Sequence, residues 1–337
     1  MSAQRAVGAA KEPGGAGAPS RGRLPDFFIV GHAKSGTTAL YEMLRRHPQI
    51  YMPDFKEPWY FSTDMRPRFQ PPRAGTLPET LEEYAALFSD AREDQRAGEA
   101  SASYLWSRTA AKGISEVKPD ARIVAILREP ASFLRSLHMQ FLENHVESKR
   151  DLRTALELEG PRREGKHVPG GSHRPQLLQY SDHVRYVEQL RRYHDLFSAD
   201  QMLTLIYDDF RRDNETCVRA VLRLLDVDET VPLDIIDVNR TNRSMRSQRL
   251  DDLVHALSVG RGPASRLAKA AIKTITPKKL RRDALFVTQR RIVHSSMPPA
   301  DESLMLELRR RFKPEVVALS EYLDRDLVSL WGYDKLD

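Results

Sequence analysis

Cysteine is almost missing from this chain. Cys217 is the only one in 337 residues, so no intrachain disulfide can form and a cysteine-rich zinc site is excluded. A reducing compartment is the simplest reading. Long hydrophobic runs are missing too. The longest purely aliphatic stretch, Ile123 to Leu127, falls far short of the roughly 20 apolar residues that a membrane-spanning helix needs. Residues 1–24 hold Gly8, Gly14, Gly15, Gly17, Gly22, Pro13 and Pro19 but no apolar core. That excludes a secretory signal peptide and predicts a disordered tail over 1–24. Cytoplasmic residence is the expectation that follows.

What is present fits a soluble globular protein with a highly charged surface: 40% hydrophobic and 30% charged residues. The length allows a single large domain over 25–337. The net charge of +6 is unevenly spread. Between Arg240 and Arg282 stand 12 Lys or Arg against two Asp, a balance of +10, which leaves −4 for the rest. One region is built to meet anions.

Short apolar runs at 26–30, 122–127 and 202–206 read as buried strands. Helical spacing covers 37–46, 81–88, 130–145, 176–197, 215–225 and 301–322. The stretch with Pro67, Pro71, Pro72 and Pro78 is a loop, and 160–175, rich in Gly, Pro and charge, is expected to be a mobile loop. Strands alternating with helices predict an α/β fold: a P-loop-like parallel sheet with helices on both faces. Ligands in such folds bind at the carboxyl ends of the strands.

The first run ends in Gly31-His32-Ala33-Lys34-Ser35-Gly36-Thr37-Thr38. The glycines permit a tight turn, and the amides of Ser35 to Thr38 can point at an anion from a helix N-terminus. The bland alternative is an ordinary strand-to-helix turn, which the lysine and paired threonines disfavour. The spacing approaches the nucleotide loop G-x-x-x-x-G-K-[ST], but Thr37 stands where that motif needs lysine. The second run is followed by Arg128, not by a magnesium-holding aspartate. A site that neutralises charge with Lys and Arg fits better than magnesium-dependent phosphoryl transfer. Tyr207-Asp208-Asp209 after the third run is either a metal-ligand pair or a cap for the next element.

Arg128-Glu129-Pro130 leads into a helix carrying Ser136. Arg and Ser together can hold a phosphate, although an Arg after a strand is usually a surface ion pair. In Lys56-Glu57-Pro58-Trp59-Tyr60-Phe61, Glu57 lies beside an aromatic cluster and can accept a proton from a substrate hydroxyl; the bland reading is a surface loop. His32 and His138 are rival bases, ranked below Glu57.

Phe28 through Thr38 resembles the 5′-phosphosulfate loop of sulfotransferases that use 3′-phosphoadenosine 5′-phosphosulfate (PAPS). Arg128-Glu129-Pro130 with Ser136 resembles their 3′-phosphate motif. Lys56 through Phe61 is similar to the segment bearing the catalytic Glu in the carbohydrate, heparan-sulfate-like branch, here as a bacterial-type member. Gly98 through Leu105, Tyr207-Asp208-Asp209-Phe210 and Leu323 through Leu327 look like further blocks of that branch, which makes the acidic pair structural. The likeness spans roughly 26–333. Glu129 replaces a common Asp, and Phe133 stands where many members carry Arg. Arg240, Arg243 and Arg246, or Arg290 and Arg291, are candidates to complete the basic loop.

The resemblance implies transfer of a sulfuryl group from PAPS to a hydroxyl or amine of a small-molecule, carbohydrate or lipid-linked acceptor, leaving 3′-phosphoadenosine 5′-phosphate (PAP). Lys34, Ser35, Gly36, Thr37, Thr38, Arg128 and Ser136 are expected to bind the cofactor. Glu57 is the expected base, Lys34 the stabilising cation, and no metal is required. The loops at 62–80 and 146–175 are expected to shape the acceptor pocket. Residues 264–273 read as a solvated helix with Arg266, Lys269 and Lys273 on one side, or more sharply as a cover for an anionic or lipid-linked acceptor or as part of a weak peripheral membrane contact through 260–282. Nucleic acid is disfavoured because no aromatic platform accompanies the charge. The rivals are a magnesium-dependent kinase-like enzyme and a non-catalytic anion-binding module.

Overall fold

The computed structural model describes residues 22–66, 77–169, 174–235 and 300–336, together with the short antiparallel pair Ser244–Met245 and His294–Ser295. The tail over 1–21, the basic stretch 260–282 and Arg240, Arg243, Arg246, Arg290 and Arg291 lie outside the described residues. Arg23 and Leu24 are described: Arg23 donates to Asp26 at 2.6 Å and to the Gln95 carbonyl at 2.7 Å, and Leu24 packs against the core.

Five parallel strands form the main sheet: β1 (Phe27–Gly31), β2 (Ile50–Tyr51), β3 (Arg96–Ala100), β4 (Arg122–Leu127) and β5 (Met202–Ile206). Their order is β2-β3-β1-β4-β5. β1 is apolar throughout and β4 is apolar after Arg122 because both faces are covered. Side chains alternate between faces. Phe28, Val30, Ile123, Ala125 and Leu127 pack under α3 (Ala110–Val117), α4 (Pro130–Glu143), α7 (Tyr186–His194) and α10 (Glu302–Tyr322). Phe27, Ile29, Val124 and Ile126 pack under α1 (Thr37–Arg45) and α9 (Asn214–Leu224). Each such fully buried Phe, Val, Ile or Leu side chain contributes about 1.5–3 kcal/mol. The remaining helices among the described residues are α2 (Leu81–Ala86), α5 (Leu152–Glu157), α6 (Glu159–Arg163), α8 (Tyr207–Arg212) and α11 (Leu327–Leu330).

The expected α/β architecture is present, with three departures in its parts. First, the sheet has β2 and β3 beyond the three expected strands. β3 reads Arg-Ala-Gly-Glu-Ala, with no β-branched residue to announce it. Its Gly98 is required by packing: a Cβ there would lie 2.1 Å from Phe27 Cζ and 2.5 Å from Met52 Sδ.

Second, the single helix expected over 176–197 is two 3₁₀ turns, Pro175–Leu178 and Tyr180–Val184, followed by α7. Leu178, Tyr180, Val184 and Tyr186 are all buried, and residues two apart cannot share one helical face. The backbone breaks at Gln179 and Arg185, and the Gln189 amide binds the loosened Asp182 and His183 carbonyls at 3.1 Å each. Third, the expected loop 160–175 begins inside α6. Arg162 there is fully buried in a two-pronged pair with Glu147 at 2.7 and 2.8 Å. An ion pair so desolvated needs fixed geometry, which holds that part of the segment in place.

Gly98→Ala tests the packing of β3. Overpacking costs about 1–3 kcal/mol, so urea denaturation should show a loss of that size; a change of only a few tenths would contradict the close fit under Phe27.

Candidate functional site

The chain leaves β3 on one side of β1 and crosses to β4 on the other. Strand order therefore reverses at β1 and β4, and the crevice at their carboxyl ends is where such sheets bind ligands. The His32–Gly36 turn leaves β1 there, and Arg128 leaves β4. Arg128 Nη1 donates to the Lys34 carbonyl at 3.0 Å, and its guanidinium lies 4.7 Å over the Tyr207 ring. Lys34 and Gly36 both adopt left-handed backbone, with φ of 62° and 91°. At Gly36 a Cβ would also press the Phe210 ring at 3.0 Å.

Gly36 begins α1 without a side-chain cap, and the first turn holds no acid. α2, α4, α5, α9, α10 and α11 each have a side-chain cap, whereas α3, α6, α7 and α8, like α1, have none. The leading amides of a nine-residue helix thus remain for an outside anion. Among the described residues, no carboxylate lies within ion-pair distance of Lys34 or Arg128. Burial lowers the Lys34 ammonium from its ordinary value; Glu143 opposes that shift and Arg128 adds to it. Ser35 and Thr37 are buried in the turn, while Thr38 is exposed. Ser136 is buried on α4. Phe133, one turn earlier, faces the core and meets the His32 ring at 4.9 Å.

Glu57 is brought to this turn by its neighbour. Lys56 Nζ donates to Thr38 Oγ1 at 2.7 Å and lies 3.8 Å from Glu57 Oε1. Burial lowers the Lys56 ammonium, against the pull of Glu57 and Glu42. Trp59 Nε1 donates to Glu57 Oε2 at 3.2 Å. The Glu57 side chain is 36% exposed, so an acceptor can reach it. Lys56 and Trp59 were not among the expected site residues; the adjacency of Lys56 to Glu57 was the available signal. Arg174, also unforeseen, lies 4.8 Å over the Trp59 ring.

The segment around Glu57 is strapped to the end of β3. The amides of Glu57, Trp59 and Phe61 donate in turn to the Ala100 carbonyl (3.2 Å), Ser101 Oγ (3.3 Å) and Tyr104 Oη (3.3 Å). Beneath them lies Glu99, fully buried, with Oε2 accepting from the Tyr84 hydroxyl at 3.0 Å. Burial pushes its carboxyl up to about 7; the Ser101, Tyr104 and Tyr84 hydroxyls oppose that rise, and the charge of Glu57 adds to it.

The rival bases are sealed in. His32 is buried against Gln189 Oε1 at 2.6 Å, and desolvation drops it to about 3. His138 binds the Tyr180 hydroxyl and the Arg150 carbonyl through its two nitrogens, and burial lowers it too. The acidic pair is engaged as well: Asp208 accepts from Trp331 Nε1 at 2.9 Å, and Asp209 pairs with Arg325 and Arg212. Glu129 caps α4 through the Ala131 and Ser132 amides and accepts from the Tyr333 hydroxyl at 2.7 Å.

The Sulfotransferase family model matches residues 25–231. The chain belongs to that family. Human carbohydrate sulfotransferase 15 is 30% identical over 162 residues, 36% of this chain and 28% of that protein. Human heparan sulfate glucosamine 3-O-sulfotransferase 6 is 30% identical over 127 residues, 38% of this chain and 33% of that protein. The matches therefore span a third or less of these relatives. A sulfotransferase from Alicyclobacillus acidocaldarius superposes with a TM-score of 0.63 at 25% identity, covering 91% of this chain and 98% of that one. The five-stranded parallel sheet with flanking helices agrees with that structure.

Glu99 carries a pH signature. A free Glu ionises near 4.5 and buried Glu99 near 7, so the unfolded chain loses its proton first. Stability then falls as pH rises through that window, by about 3 kcal/mol in total, and is level above it. Glu99→Gln removes this loss. Its melting temperature relative to the parent should rise between about pH 5 and pH 8; a difference that is flat with pH would contradict the burial of an ionising group.

Proposed function

We propose that this member of the Sulfotransferase family moves a sulfuryl group from PAPS to a hydroxyl or amine of a small-molecule, carbohydrate or glycolipid acceptor. One observation carries the reading. Lys34, Lys56 and Arg128 gather at an uncapped helix N-terminus at the sheet's switch point, and the exposed carboxylate of Glu57 is strapped beside them. Like charges so crowded favour a multiply charged anion. The names of the carbohydrate and heparan sulfate relatives support a sugar acceptor.

The residues suit the donor. The amides from Ser35 to Thr38 would hold its 5′-phosphosulfate, and Arg128 with the hydroxyl of Ser136 its 3′-phosphate. When bound, PAPS supplies the sulfuryl group and a phosphate leaving group. Glu57 takes the acceptor proton on its carboxylate, which the Trp59 indole orients. Lys34 offsets negative charge on the departing phosphate oxygen. Lys56 fixes Glu57 against the start of α1 through Thr38. The scheme uses no metal.

A magnesium-dependent kinase reading is less well supported. Thr37 occupies the position of the phosphate-loop lysine, and the aspartates after β5 are tied to Trp331 and Arg325. A passive anion binder gives no reason for the strapped base.

Calorimetric titration separates these. PAP should bind tightly without metal, and ADP with magnesium should not. Glu57→Gln should keep PAP affinity within about twofold while PAP release from PAPS, with heparan sulfate and water offered as acceptors, falls by about 10²–10⁴. Preference for ADP with magnesium would move the chain to kinase-like chemistry. Undiminished release in the Gln variant would remove Glu57 as base.

A further inference from the structure

Two aromatic residues near the end of the described chain turn back toward the crevice. Trp331 and Tyr333 are both buried, although they follow only the short helix α11. The turn that places them has a clear cause. The Gly332 amide donates to the Ser329 carbonyl at 3.1 Å, and the Tyr333 amide donates to the Val328 carbonyl at 2.8 Å. Gly332 lies in left-handed backbone, with φ of 73°. That pair of bonds ends a helix on a left-handed glycine and reverses the chain. Trp331 and Tyr333, on either side of the glycine, are carried inward by it.

Their polar atoms reach acids that stand directly beside crevice residues. Tyr333 donates to Glu129 Oε1 at 2.7 Å, and Glu129 follows Arg128. Trp331 Nε1 donates to Asp208 Oδ2 at 2.9 Å. Asp208 follows Tyr207, whose ring carries the Arg128 guanidinium. Arg325, just before α11, pairs with Asp209. The segment 325–333 thus clasps the exit of β4 to the exit of β5, where Arg128 and Tyr207 already meet.

Glu129 is the critical acid, because it is the carboxylate next to Arg128 in the chain and it is buried. Its oxygens are fully engaged. Oε2 accepts from the Ser132 amide at 2.7 Å, and Oε1 accepts from the Ala131 amide at 3.1 Å as well as from Tyr333. Arg309 Nε lies 3.6 Å from Oε1. A carboxylate so satisfied makes no demand on the guanidinium beside it. Without the Tyr333 hydroxyl, a buried charge is short of a donor. It then re-aims toward Arg309 or Arg128, and either shift disturbs the junction of β4 and α4. The Tyr186 hydroxyl, at 2.9 Å from the Arg128 carbonyl, holds the backbone of that junction but not the charged end of Arg128.

We propose that Trp331 and Tyr333 are positioning residues for the donor: by holding Asp208 and Glu129 they fix Tyr207 and the Arg128 guanidinium in the pose that receives the 3′-phosphate. This rests on the reading of Arg128 as the 3′-phosphate contact. Neither aromatic needs to touch the donor.

Calorimetric titration of the full chain with PAP and with adenosine 5′-phosphate tests this, because the two ligands differ only in the 3′-phosphate. Tyr333→Phe keeps the buried ring and removes one hydroxyl. It should lower PAP affinity about tenfold, while adenosine 5′-phosphate affinity stays within about twofold. Trp331→Phe removes the indole N–H and should act in the same sense, by about three- to fivefold. Arg128→Lys should remove most of the preference for PAP, and Tyr333→Phe added to it should remove no more. Unchanged PAP affinity in Tyr333→Phe overturns the proposal. So does an equal loss for both ligands, which marks the segment as merely structural. A full further loss on top of Arg128→Lys overturns it too, because Tyr333 then acts elsewhere. If Tyr333→Phe does not fold, Trp331→Phe decides by the same comparison. A parent chain that binds PAP no better than adenosine 5′-phosphate removes the reading of Arg128, and the clasp with it. A parent that prefers PAP beside a variant that keeps the preference removes the clasp alone.

Discussion

One hydrogen bond organises the crevice: Arg128 to the carbonyl of Lys34. It joins the exits of β1 and β4 where strand order reverses, and the stacking of Arg128 on Tyr207 adds the exit of β5. The chemistry of the partners matters as much as the geometry. A carbonyl and a ring face orient a guanidinium without cancelling its charge. A carboxylate in either place would hold Arg128 more tightly and remove the positive field that the uncapped start of α1 shares. The turn is therefore stitched together by a cation that stays available.

The second constraint is backbone strain. Lys34, Glu57 and Trp59 are non-glycine residues in left-handed backbone, and all three lie at the crevice. Such conformations persist only where the surroundings overdetermine them. Around Glu57 the surroundings are three successive amide bonds to the end of β3. β3 is in turn placed by the contact of Gly98 with Phe27 of β1. The base thus depends on a strand with little intrinsic preference for being one, held in place by its neighbours.

That dependence explains what was legible in the sequence. β1, β4 and β5 carry apolar runs that read as buried strands, and the Gly31–Thr38 turn announces its anion cradle. Glu57 was reachable through its motif, and its partner Lys56 stands beside it. β3 was not legible, because Gly98 and two alanines satisfy packing rather than propensity. Glu99 was hidden for the same reason: only the folded strand shows that this glutamate lies under Ser101 and Tyr104. The broken helix over 176–197 failed differently. Its spacing mixes periods of two and four, and burial of Tyr180 and Tyr186 decided between them.

The two sides of the crevice differ in chemistry, and the difference suits the proposed transfer. The α1 and β4 side is cationic, with Lys34 and Arg128 and no acid within ion-pair distance among the described residues. The β3 side is acidic and hydroxylic, with Glu57, Glu99, Ser101, Tyr84 and Tyr104. Sulfuryl transfer leaves negative charge on the donor's phosphate and releases a proton from the acceptor. A site with cations where the charge builds and the Glu57 carboxylate where the proton goes stabilises both changes at once. Lys56 lies at the border, bonded to Thr38 on one side and near Glu57 on the other. A shorter or uncharged residue there would let the two sides drift apart, so its value lies in registering the base against the helix terminus.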